Sequence, residues 1–137
     1  MYDPKMVQPM REELTRLGVV EMRTAHEVDE MLGTTKGTVL VVVNSVCGCA
    51  AGGARPGVAL ALKHPKRPDK ITTVFAGQDK EATERARSYF LGFPPSSPSM
   101  ALLKDGKVIH MINRHDIEGH SPEEIAEQIT KAFDTFC

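Results

Sequence analysis

Thr38-Val-Leu-Val-Val-Val-Asn44 is the most apolar run in the chain, and Ser45-Val46-Cys47-Gly48-Cys49 follows it directly. Seven residues with no polar alternation read as a central strand buried on both faces. Both-face burial calls for a layer of structure on each side of a sheet, which points to an α/β architecture. Behind the cysteines come Ala50-Ala-Gly-Gly-Ala-Arg-Pro-Gly57 and the apolar residues Val58, Leu60, Ala61 and Leu62. The order is strand, short turn, helix. A thiol in such a turn sits at a helix N-terminus, where unpaired N–H groups and the helix dipole favour negative charge. That setting raises the thiolate fraction, so the motif points to thiol–disulfide chemistry.

The chain has 137 residues, enough for one domain over 1–137, with residues 1–18 as an N-terminal helical extension. Its net charge of −1 argues against nucleic acid or an anionic membrane as the main partner. Met1-Tyr-Asp-Pro-Lys5 is polar, and Val39–Val43 is far too short to span a bilayer, so a cytoplasmic location is expected. Three cysteines are an odd number and too few for a disulfide framework. In a reducing compartment a close pair is catalytic or metal-binding rather than structural.

Apolar spacing predicts a helix over residues 5–17, with Val7, Met10, Leu14 and Leu17 on one face and Gly18 as its stop. A short strand follows over residues 19–22. Thr24 and Glu27 form a capping box for a helix that turns Val28, Met31 and Leu32 inward. The cysteine turn and its helix extend to about Lys63, with an early kink at Pro56. A strand over 71–76 precedes a helix capped by Asp79 and running to about Leu91. The proline-rich loop 93–99 leads into a strand over 100–104. Asp105-Gly106 is a hairpin signal that pairs residues 107–112 back. Ser121, Pro122 and Glu124 open a last helix whose inner face is Ile125, Ile129, Ala132, Phe133 and Phe136. Two crossover units imply parallel strands, and the hairpin adds an antiparallel end to the sheet.

This arrangement resembles the thioredoxin fold with an extra N-terminal helix: a mixed central sheet between layers of helices. The cysteine motif opens a helix after the second strand, and Pro98 directly precedes the strand that ends in the Lys104-Asp-Gly turn. In thioredoxin-like proteins a proline at that place is cis and faces the active sulfur, which marks Ser97 and Pro98 as active-site support. One residue separates the cysteines here instead of thioredoxin's two. The segments Val41–Gly52, Val74–Ala82, Pro95–Leu103, Arg114–His120 and Ala132–Cys137 resemble the bacilliredoxin family over nearly the whole chain. The resemblance implies a thiol–disulfide oxidoreductase with no tightly bound cofactor and with bacillithiol as co-substrate. It would act on oxidised or bacillithiolated proteins and be regenerated by a thiol or a reductase.

Cys47, the first cysteine after the strand, is the candidate nucleophile, and Cys49 the candidate resolving thiol. A disulfide across the single Gly48 closes a small ring whose geometry is hard to reach, although glycine eases it. Strain makes such a disulfide more reducible, so an oxidising or isomerising couple is expected. Asn44, Arg55, Arg114 and His115 are candidates for binding a thiol co-substrate or protein substrate. Arg55 otherwise reads as a solvated helix residue, and Arg114 and His115 as surface loop. His110, His115 and His120 recur every five residues, which is not one face of a helix. Gly52, Gly53 and Gly57 lack a P-loop pattern and read as close packing or an irregular first turn. Cys137 is a helix-end thiol, and the resemblance adds a candidate third redox role. Two alternatives stand beside the leading reading. One is a disulfide isomerase or oxidant with no dedicated low-molecular-weight thiol. The other is a metal-binding module on Cys47 and Cys49, although zinc sites favour C-x₂₋₄-C spacings.

Overall fold

The run that constrains the sequence also organises the fold. In the computed structural model, which describes residues 1–137, β2 (Thr38–Asn44) is buried along its whole length. It lies between β3 (Lys70–Phe75), parallel to it, and β4 (Ser99–Lys104), antiparallel. The five-stranded sheet has the order β1-β3-β2-β4-β5, with the two-residue β1 (Val20–Glu21) at one edge and β5 (Lys107–Ile112) at the other. The first three strands are mutually parallel and the last two form an antiparallel hairpin, as the crossover pattern predicts. Asp105 and Gly106 both adopt positive φ, 51° and 80°, the backbone of a type I′ turn.

Strand periodicity divides the core in two. Leu40 and Val42 point into one apolar layer with Val58, Ile125, Ile129 and Phe133. Val39, Val41 and Val43 point into the other with Val28, Leu32, Ala82 and Ala86. The first layer is closed by α1 (Pro4–Thr15), α3 (Arg55–Ala61) and α6 (Pro122–Phe136), and the second by α2 (Ala25–Leu32) and α4 (Lys80–Ser88). No helix is long and apolar enough to cross a membrane.

Several helix ends follow their sequence signals. Thr24 with Glu27, and Ser121 with Glu124, each make both hydrogen bonds of a capping box. Others depart from expectation. The first helix ends at Thr15, which leaves Leu17 37% exposed instead of inward. Phe136 is likewise 37% exposed, its ring tilted by 35° against that of His110 with centroids 5.8 Å apart. Asp79 precedes α4 but its carboxylate does not cap it. That carboxylate takes a two-pronged contact from the buried Arg11 of α1, at 2.6 and 3.0 Å. Residues 50–54 form a π-helical turn, so the expected kink at Pro56 becomes a widened turn just before α3. Pro56 then stands in the first turn of α3, where its missing N–H does little harm. A short helix, α5 (Arg114–Ile117), was not expected at all.

The glycines of the cysteine helix allow close packing. A Cβ on Gly57 would lie 2.7 Å from Cγ2 of Ile125, and one on Gly53 would lie 2.9 Å from its Cδ1. α6 therefore rests directly against the backbone of the cysteine helix.

Candidate active site

The site forms where the C-terminal end of β2 passes into the π-helical turn. The carbonyl of Cys47 accepts the N–H groups of Ala50 at 2.9 Å and Ala51 at 3.2 Å, so Cys47 opens the helical segment. The N–H of Cys49 donates back to Sγ of Cys47 at 3.4 Å. The Cys47 thiol is held below its ordinary range. The neighbouring Cys49 thiol contributes most, followed by the Cys49 N–H, with further help from the Arg114 charge and the Ala50 N–H. Cys49 moves the opposite way, pushed up by burial and by the sulfur of Cys47. The two thiols are therefore unlike: the surroundings favour the thiolate at Cys47 and the protonated thiol at Cys49.

Gly48 is exposed, has open space where a Cβ would stand and does not adopt positive φ. The free dithiol form thus makes no steric demand for glycine between the cysteines.

Register brings the second landmark to the same place. Ser99 pairs with Val43, so buried Pro98 lies beside the end of β2, and the Ser97–Pro98 peptide is cis as expected. Arg114, at the start of α5, donates from Nη1 to the carbonyl of Ser97 at 3.2 Å. Its Nε and Nη2 reach Oε2 of Glu118 at 3.2 and 3.0 Å. The backbone N–H of Arg114 also donates to Oγ of Ser96 at 3.3 Å. α5 itself is set by Asn113 and Asp116, which form a capping box. Arg114 is therefore an exposed cation fixed beside the cysteine turn. His115, next to it, is 80% exposed and faces Asp116 at 3.5 Å.

Asn44 and Arg55 are not presented to a ligand. Each is 2% exposed, so Arg55 is not the solvated helix residue its sequence position suggests. Nη1 of Arg55 donates to Oδ1 of Asn44 at 3.0 Å and to the carbonyl of Ser45 at 2.7 Å. Ser45, which sequence reasoning passed over, accepts the N–H of Cys47 on its Oγ at 3.2 Å. No sequence signal marked it, because its role depends on the fold of the turn.

Cys137 is not brought to the pair. Burial raises its thiol and the Asp69 charge adds to this, while Thr38 and the Lys66 charge act in the opposite direction. Thr38 opens β2 and the cysteine turn follows the far end of that strand, a span of about 20 Å for seven residues. No group of three or more His, Cys, Asp or Glu is gathered to hold a metal ion.

The backbone is similar to solved thioredoxins. Against that of Fasciola hepatica the TM-score is 0.61 at 17% identity, covering 87% of this chain and 100% of the other. Against that of Schistosoma mansoni it is 0.58 at 16% identity, covering 87% and 98%. A thioredoxin fold with a cysteine pair at its strand-to-helix turn, taken together with the family matches that follow, defines a thiol–disulfide oxidoreductase. The profile of the family described as disulphide isomerase matches residues 2–137. A bacilliredoxin of Koribacter versatilis is 56% identical over 137 residues, covering 100% of this chain and 94% of that protein. One from Geobacillus kaustophilus is 57% identical, covering 99% and 94%. The chain belongs to the bacilliredoxin family.

Proposed function

We propose that this oxidoreductase removes bacillithiol from protein mixed disulfides in the cytoplasm, with Cys47 as the attacking thiolate. The observation that carries the reading is the placement of the pair: Cys47 opens the helical segment and the Cys49 N–H donates to its sulfur at 3.4 Å, which favours a thiolate on Cys47 over one on Cys49. The Cys47 thiolate attacks the bacillithiol sulfur of the mixed disulfide. A new S–S bond joins Cys47 to bacillithiol, the old S–S bond breaks, and the protein leaves as a thiolate that takes a proton from water. A second bacillithiol can then displace the first as bacillithiol disulfide. Alternatively Cys49 loses its proton and attacks Cys47, releasing bacillithiol and leaving a Cys47–Cys49 disulfide. That disulfide is reduced by two electrons from an external thiol or reductase. Arg114 favours each thiolate by its charge and can meet a carboxylate of the co-substrate, with exposed His115 beside it.

The nearness of the Cys49 thiol to Cys47 favours a second reading, a dithiol isomerase that rearranges protein disulfides without bacillithiol. Release kinetics on one carrier protein, bacillithiolated or glutathionylated, separate the two. The bacilliredoxin reading expects faster release of bacillithiol and retention of that activity in Cys49→Ser. Equal rates on both adducts, with activity confined to Cys49-dependent reactivation of a scrambled disulfide protein, would support the isomerase.

A further inference from the structure

We infer that Arg55 is a positioning residue for the Cys47 thiolate and that Glu13 of the N-terminal helix fixes Arg55 in place. The inference rests on Cys47 being the nucleophile. A guanidinium buried at the junction of helix and sheet is expensive to desolvate unless its charge and donors find partners. An apolar side chain would fill the same space at less cost, so the partners show what the cation does. Arg55 holds the Ser45 carbonyl and the Asn44 side chain from one nitrogen. Oδ1 of Asn44 also accepts the Ser45 N–H at 2.9 Å. Oγ of Ser45 in turn takes the N–H of Cys47. The backbone polar groups of Ser45 and the N–H of Cys47 are thus all tied down. The amides of Cys49 and Ala50 that stabilise the thiolate can keep their aim only while this entry to the turn is fixed.

The other end of the relay lies in α1. Oε1 of Glu13 is 3.2 Å from Nε of Arg55 as an ion pair, not aligned as a hydrogen bond. Nδ2 of Asn44 donates to the carbonyl of Met10 at 3.2 Å. Two residues of α1, three apart, therefore grip the two side chains that shape the cysteine turn. The N-terminal helix is part of the site's construction.

The test is the pH dependence of Cys47 alkylation by iodoacetamide, read by peptide mass spectrometry in full-length Arg55→Lys and Glu13→Gln. Both are measured at a temperature where circular dichroism matches the parent. A lysine keeps the charge but cannot reproduce the planar fork. Glu13→Gln is isosteric at a half-exposed position and decides the matter alone if Arg55→Lys does not fold. The expected result is a rise in the alkylation midpoint of about 0.5 pH unit in each variant, read as a rate lower by about 3-fold at pH values below the midpoint. A midpoint unmoved in either folded variant, even with a lower melting temperature, overturns the relay. No bacillithiol enters this measurement, so its failure is distinct from failure of the proposed substrate, which is read by release assays.

Discussion

The backbone N–H of Cys49 points at the sulfur of Cys47 from 3.4 Å, so the second cysteine stabilises the first through its amide as well as its thiol. The thiolate is the reactive form, and its fraction rises as pH passes the thiol's pKa. Cys47 is lowered, so its alkylation should reach a plateau at lower pH than an ordinary thiol. Cys49 is raised, so its own should begin later. Limited labelling near pH 7 should mark Cys47 first. Mass spectrometry finding Cys49 labelled first would reverse the assignment.

Arg114 contributes charge to the pair without being buried. Arg114→Met should raise the Cys47 midpoint and slow exchange by about 2- to 5-fold at low salt. Because the contact is exposed, the difference from the parent should shrink as ionic strength rises. A salt-independent loss would mean that Arg114 acts by anchoring the Ser97 carbonyl instead.

The lowered Cys47 stabilises the dithiol, which makes the couple a better oxidant. Its potential, measured in glutathione buffers in a Cys137→Ser background, should lie above the value of about −270 mV typical of thioredoxin. A potential at or below that value would contradict this.

Much of this site was legible because its signals are local. The uniform apolar run of β2, the cysteines after it, Pro98 before β4 and the Asp105-Gly106 turn each carry their meaning within a few residues. The rest depended on contacts between distant segments. Nothing near Asp79 reveals that its carboxylate serves Arg11, 68 residues away, rather than its own helix. Arg55 looks like a surface residue until α1 covers it. The capping box of α5 spans too short an apolar pattern to show as a helix, and Cys137 could be placed only once β2 separated it from the pair.

Gly57 tests the packing that holds the cysteine helix. Gly57→Ala forces a methyl against a β-branched side chain and lies 3.3 Å from the Pro122 carbonyl. Urea unfolding should show a loss of about 1–3 kcal/mol. Unchanged stability would show that α6 can shift freely away from α3.

The Arg11–Asp79 pair ties α1 to the turn between β3 and α4, with side-chain exposures of 3% and 11%. Asp79→Asn leaves the buried guanidinium with Glu21 alone at 3.1 Å, and should cost about 3 kcal/mol in the same unfolding assay. A change below about 0.5 kcal/mol would mark the pair as behaving like an exposed ion pair.

The most direct test of the chemistry is to follow where bacillithiol goes. A bacillithiolated carrier protein is mixed with one equivalent of the Cys49→Ser, Cys137→Ser double variant and both intact masses are read. A Cys47 nucleophile that attacks the bacillithiol sulfur predicts an unmodified carrier and one bacillithiol adduct mapped to Cys47. A covalent complex between the two proteins, or transfer that persists when Cys47 is also replaced by serine, would contradict it.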